Sequence, residues 1–365
     1  MLINIGKTTL LNFIYDKINS KNKFYLDLEN PLNQKYFEED DFEKIKFSLE
    51  TLGLDFNKKP FVFLDEIQLI KNIPQVVKYL IDHYSVKFFL TGSASFYLKN
   101  LFSESLAGRK YVFELFPFSF KEFLALKQVN IKLPKKHFQF TEPIFETVSR
   151  YYLEHLQFGG FPQVILKKSY QEKKQSLNDI FSSYFQLEVK QLSDFRKINK
   201  VRDLMFLLME RIGSRLDIQK LSQELDISRA TIYEYLSFLE GTYFIKLIRP
   251  FTKSRDVEIR KAAKVYLCDS GLANNVIGLS KGMLFEQSAF QSLRLKGELN
   301  YYQRKTGGEI DFILNKREAY EIKIKPGKSD LNKLKKIASS IKLDSYRIVS
   351  LNYTSLEKTI YGFEI

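Results

Sequence analysis

The sequence predicts an α/β protein: a mainly parallel sheet with helices at the N-terminus, then a helix-turn-helix, then a smaller α/β module. Three observations carry this. Phe24–Leu28, Phe61–Leu64 and Lys87–Leu90 are short β-rich runs, each followed by polar or helix-forming sequence, the rhythm of parallel strands joined by helices. Residues 200–267 change to three short amphipathic helices and then β-type alternation. The C-terminal stretch reads as helix, strands, helix, strand. At about 150 residues per domain, the 365 residues hold two or three domains. The reading places a core at 1–125, a helical extension at 126–199, the helix-turn-helix unit at 200–267 and the last module at 268–365.

Composition narrows the function classes. A hydrophobic content of 44% is enough for real cores and excludes a wholly disordered chain. The longest apolar run, Leu204–Met209, has six residues, far short of the ~18 a membrane span needs. The N-terminus does not read as a cleavable signal peptide. A single cysteine, Cys268, forbids an internal disulfide and fits the reducing cytoplasm. With three scattered histidines (His83, His137, His155) it also argues against structural zinc. The 57 Lys and Arg exceed 43 Asp and Glu, a net charge of +14. That favours an anionic partner, nucleic acid first.

Three strand ends carry chemistry. Ile5–Leu11 reads IGKTTLL, a Gly-Lys-Thr opening an apolar helix. There Gly6, Lys7, Thr8 and Thr9 would hold phosphates on backbone N–H groups and the lysine, and the Thr8 hydroxyl would ligate Mg²⁺. The full phosphate-loop pattern also needs a glycine five positions before Gly6, where Met1 stands. Phe61–Gln68 (FVFLDEIQ) is a buried strand delivering Asp65, to hold Mg²⁺ through water, and Glu66, to polarise the attacking water. Lys87–Ser93 (KFFLTGS) places Thr91 or Ser93 to sense the γ-phosphate. Together these predict a nucleotide-binding fold with ATP and Mg²⁺ as its ligands.

LDEIQ, LTGSAS, ESLAGR (Glu104–Arg109), LFPFSFKEF (Leu115–Phe123) and FGGFP (Phe158–Pro162) follow in order. In this the chain resembles bacterial and archaeal AAA-type ATPases that carry a conserved C-terminal domain of unknown function, from Gly6 to about Lys325. The resemblance implies a P-loop NTPase (AAA-like) parallel sheet, a winged helix-turn-helix and an α/β restriction-endonuclease-like domain. Such proteins normally have some tens of residues before the Gly-Lys-Thr, including a first strand. The expectation is therefore that Met1 is internal or the copy is decaying, and that the chain as written binds ATP poorly. Arg109 reads either as an arginine finger for a neighbour's γ-phosphate, which would imply a homo-oligomer, or as a surface salt bridge.

Leu204, Leu207, Leu208 and Ile212, then Leu221 and Leu225, then Ile232, Leu236 and Leu239 make the apolar stripes of three helices. Ser228 caps the third. Tyr243–Pro250 and Lys264–Cys268 read as wing strands, with Lys253, Arg255, Arg260, Lys261 and Lys264 as a basic wing. Arg229, Thr231 and Tyr233 would face bases or phosphates of DNA, with Lys253 and Arg255 on phosphates. Docking to a protein partner is the other use of such a module. Further on, GGEIDFIL and AYEIKIK put Asp311 on one strand and Glu321 and Lys323 on one face of the next. With Glu286 on a preceding helix, this resembles the D…E-x-K arrangement of restriction-endonuclease-like nucleases. Glu286, Asp311 and Glu321 would hold Mg²⁺, and Lys323 would position water. The leading function is an ATPase working around DNA; a nuclease regulated by the ATPase half and a non-catalytic binding protein are the alternatives.

Overall fold

The structure, a computed structural model, describes residues 5–92, 109–134, 137–190, 198–252, 258, 261–304 and 307–365. Ser93, Lys253, Arg255, Arg260 and most of the ESLAGR motif lie outside the described residues. The chain divides into two compact units, residues 1–116 and 117–365. The division falls ahead of the expected boundary at 125 because helix Phe120–Leu126 packs inside the second unit. Its Phe120 ring meets Tyr152 at 5.2 Å and His155 at 5.8 Å.

The first unit runs α1 (Lys7–Lys17), β1 (Lys23–Asp27), α2 (Phe42–Thr51), β2 (Phe61–Asp65), α3 (Ile73–Tyr84), β3 (Lys87–Leu90). The strands are parallel in the order β1-β2-β3. Val62, Phe63 and Leu64 are fully buried, the continuous apolar run expected of a central strand covered on both faces. α3 starts with Pro74 in its first turn and buries Ile73, Val76, Val77 and Leu80 at helical spacing. The register pairs Asp27 with Asp65 and Leu64 with Leu90. All three carboxyl ends therefore reach one edge, with Thr91 just beyond β3.

The second unit begins with α4 (Phe120–Leu126), α5 (Glu142–Phe158) and α6 (Tyr170–Tyr184). Next come α7 (Ile198–Glu210), α8 (Ile218–Leu225) and α9 (Arg229–Gly241). Asp226 turns the chain between α8 and α9 at φ 50°, and the Ser228 hydroxyl accepts from the Thr231 N–H at 3.1 Å, the cap the sequence signals. β4 (Ile245–Ile248) and β5 (Lys264–Leu267) pair antiparallel, and α10 (Ser270–Ile277) and α11 (Lys281–Leu293) follow. The last sheet holds β6 (Leu299–Gln303), β7 (Glu309–Leu314), β8 (Glu318–Lys323), β9 (Ser345–Ser350) and β10 (Thr359–Tyr361) in the order 10-9-8-7-6. β6, β7 and β8 are antiparallel; β8, β9 and β10 are parallel. α12 (Lys328–Ser340) lays Leu334, Ile337 and Ala338 on Ile310, Ile313 and Ile348.

The FGGFP and LFPFSF motifs meet in this unit. The Gly160 N–H donates to Asp269 Oδ2 at 2.8 Å, and the Gly160 carbonyl accepts from Phe118 N at 2.7 Å. Nearby, His155 Nε2 lies 2.9 Å from the Phe118 carbonyl. Burial pushes its imidazole down from 6.5 to about 4, although that carbonyl and Glu154 pull the other way. The unfolded chain thus takes up a proton that the folded chain refuses. Stability held above pH 6.5 is lost as the pH falls towards 4, by up to about 3 kcal/mol. Urea midpoints at pH 7 and 4.5 test this: the wild-type protein should lose more on acidification than His155→Gln. Equal losses would remove the imidazole from the account.

Candidate functional site

The edge of the parallel sheet collects the phosphate-loop residues. Gly6 sits at φ 92° as the residue before α1, a left-handed conformation that suits glycine. It turns the N-terminus of an eleven-residue helix towards the strand ends. Lys7 is only 5% exposed, and its Nζ lies 2.9 Å from Glu66 Oε1. No hydrogen bond of good geometry closes on that buried ammonium. Thr8 and Thr9 are exposed on the first turn. Glu66 itself stands at φ 55° where β2 ends, uncommon for a residue with a side chain, and Gln68 Nε2 donates to its Oε2 at 2.6 Å.

Asp65, beside it, is 2% exposed. The Thr91 hydroxyl donates to Asp65 Oδ1 and the Tyr25 hydroxyl donates to Oδ2 at 3.2 Å. Burial first, then the Asp65 charge, raises the Tyr25 phenol far above its usual range. Thr91 also accepts from Ile67 N through its carbonyl at 3.0 Å, so the β2 and β3 ends are tied together. The donor set fits Mg²⁺–ATP: a helix N-terminus with a buried ammonium, faced by Glu66, for phosphate, and a hydroxyl and a carboxylate for the metal. Arg109 pairs with Asp82 at the surface, with its side chain about half exposed.

Residues 4–124 match an AAA domain. Residues 149–282 match a domain of unknown function (DUF8612). An uncharacterized protein of Methanocaldococcus jannaschii is 28% identical over 97% of this chain and 81% of its own length. One of Haemophilus influenzae is 24% identical over 86% of the chain and 78% of its own length. One of Mycobacterium tuberculosis is 23% identical over 62% of the chain and 46% of its own length. The AAA domain indicates a nucleotide-binding module of ATPase type, which usually works with Mg²⁺. Among the described residues no helix is long and apolar enough to cross a membrane.

A second cluster lies in the other unit, away from the AAA domain's strand ends in sequence. β7 supplies Glu309 and Asp311, β8 supplies Glu321 and Lys323, and α11 supplies Glu286. The Ile322 N–H donates to Asp311 Oδ2 at 2.8 Å, and Lys323 Nζ donates to Glu321 Oε1 at 2.7 Å. Glu321 Oε2 is buried without a partner. Sequence reading missed Glu309 on β7 and Tyr266 on β5, and placed Lys264 of β5 in the basic wing. The Tyr266 hydroxyl donates to Glu286 Oε1 at 2.6 Å. Lys264 Nζ pairs with Glu309 and lies 3.7 Å from Glu286 Oε1 and 3.9 Å from Asp311 Oδ1. Lys264 is therefore not part of a solvent-facing basic wing: it is 5% exposed and points inward. Its side chain shares a face with Tyr266 by strand alternation, and that face meets acid.

Burial, reinforced by Asp311, raises the Glu286 carboxyl to about 7, and the same causes bring Glu321 to about 7. Burial also raises Asp311, against the pull of Lys264. For Lys264, burial works downward but Glu286, Asp311 and Glu309 outweigh it, and the ammonium is held above its ordinary value. In the helical segment, Arg229 and Tyr233 are exposed at the start of α9, whereas the Thr231 hydroxyl is shared with the Ser228 cap.

Proposed function

We propose that the chain binds and hydrolyses ATP at the AAA sheet edge and uses the nucleotide state to control a DNA-binding helical module. The observation that carries the first half is Lys7, buried on the first turn of α1 with Glu66 2.9 Å away. Burying an ammonium is costly unless a strong anion partner meets it. Glu66 meets it in the free protein, and phosphate oxygens take that place when nucleotide arrives. Gly6, Lys7, Thr8 and Thr9 would hold the phosphates, and Thr8 and Asp65 would hold Mg²⁺, which supplies charge neutralisation there. Glu66, released from Lys7, orients the attacking water as general base. Thr91 positions Asp65 through their hydrogen bond. Arg109 would have to leave Asp82 to serve as a finger towards a second copy.

The DNA half is supported by the net charge of +14 and by the helix-turn-helix order of α8 and α9, which would act with β4 and β5 as a winged helix. Arg229, Thr231 and Tyr233 occupy the first turns of α9, where such helices meet base edges. The experiment measures affinity for a fluorescent ATP analogue with Mg²⁺, with and without duplex DNA, for the wild-type protein and Lys7→Ala. Loss of a charge-assisted phosphate contact should weaken binding about tenfold or more. Equal affinities for the two proteins would end the ATPase reading. Nucleotide-insensitive DNA affinity would leave α9 as a protein-docking element instead.

A further inference from the structure

We infer that Lys264 is the resident cation of the Glu286–Glu309–Asp311–Glu321 cluster and that it keeps divalent metal out of it. The D…E-x-K pattern implies a metal held by Glu286, Asp311 and Glu321, but the arrangement does not fit one. A divalent ion needs several oxygens converging at about 2.0–2.6 Å. Among the described residues no three Asp, Glu, His or Cys side chains form a metal-binding group. What converges instead is an ammonium: Lys264 Nζ has oxygens of Glu286, Glu309 and Asp311 all within 4 Å. Asp311 spends its other oxygen on the Ile322 N–H, and Glu321 spends one on Lys323.

The backbone that carries the lysine is held on both sides. β5 is paired along one edge with β4, where Lys264 faces Ile248, and it bridges to Arg215 on its other side. The ammonium also lies 5.6 Å from the centre of the Tyr301 ring. Gly213 shows how closely this side is packed: a Cβ there would come within 2.9 Å of Glu286 Oε1. A strand held at both edges thus delivers a largely buried positive charge to the place a metal would need, and like charges repel there more strongly than in bulk water. The cluster ties β5 to β7 and α11 as an ionic junction.

Mn²⁺ binding to the full chain without nucleotide, read by electron paramagnetic resonance, tests the inference. The wild-type protein and Asp311→Asn should bind Mn²⁺ equally, since neither offers this cluster to the ion. Lys264→Ala should gain a Mn²⁺ site at least tenfold tighter than any in the wild-type protein, and Lys264→Ala/Asp311→Asn should lose it again. A wild-type site abolished by Asp311→Asn overturns the inference, as does a folded Lys264→Ala protein with no new site. Should Lys264→Ala fail to fold, the wild-type and Asp311→Asn pair decides alone, by equality or by loss.

Discussion

Replacing Glu66 with glutamine is expected to leave ATP bound and to stop its hydrolysis. The carboxylate lies 2.9 Å from Lys7 and is steadied by Gln68 at 2.6 Å. Glutamine keeps the length of the side chain but removes the charge that competes with phosphate for the lysine. Affinity for ATP should therefore hold or tighten. Glutamine cannot accept a proton from water, so turnover should fall by at least about 100-fold, the lower end of what a general base contributes. The backbone at Glu66 is in the left-handed region, φ 55°. The strand end accepts that uncommon geometry and so directs the carboxylate back towards α1. Phosphate release and analogue binding, measured on one preparation, separate the two effects. Turnover within about threefold of the wild-type rate would show that water is oriented by another group.

Parts of this molecule are plain in the sequence for identifiable physical reasons. Val62, Phe63 and Leu64 are consecutive and apolar because both faces of β2 are covered. Asp65 and Glu66 can then be placed at a strand end without knowing anything else. Ser228 before Arg229-Ala230-Thr231 marks the start of α9 because a hydroxyl there satisfies a free N–H. Lys264 is different. A lysine among basic neighbours reads as a solvated wing, and the acids that it meets lie on β7 and α11, beyond the reach of any local pattern. The usable signal is the apolar run Val265–Cys268 that follows it; β5 is buried at every position, Lys264 to Leu267, and a lysine inside such a strand requires a carboxylate. Asp269, which the sequence reading did not single out, caps α10: its Oδ1 accepts from Leu272 N at 3.0 Å. Its second task, holding the loop after α5, depends on long-range packing.

That loop carries the second large effect: Gly160→Ala is expected to destabilise the 117–365 unit by about 4 kcal/mol or more. A Cβ on Gly160 would lie 2.2 Å from the Phe118 carbonyl oxygen and 2.7 Å from its nitrogen. These are backbone atoms, the nitrogen hydrogen-bonded to the Gly160 carbonyl and the oxygen to His155 Nε2, so no rotamer change relieves the clash. For a unit of this size the melting temperature should drop by about 10 °C. Asp269→Ala should cost about 3 kcal/mol by orphaning the buried N–H groups of Gly160 and Leu272. Gly159 supplies the control. The nearest atoms to its Cβ would be those of the Asp269 carboxylate, with Oδ1 at 1.9 Å, so Asp269→Ala removes that clash. Gly159→Ala in the Asp269→Ala background should then keep only the backbone strain of its φ of 74° and ψ of −164°, about 1–3 kcal/mol. Gly160→Ala should keep its full cost there, because Phe118 has not moved. Calorimetry of the three single and two double variants separates a clash with a side chain from a clash with the backbone. Rescue of Gly160→Ala by Asp269→Ala would mean that the Phe118 segment yields and that the motif is held by the carboxylate alone.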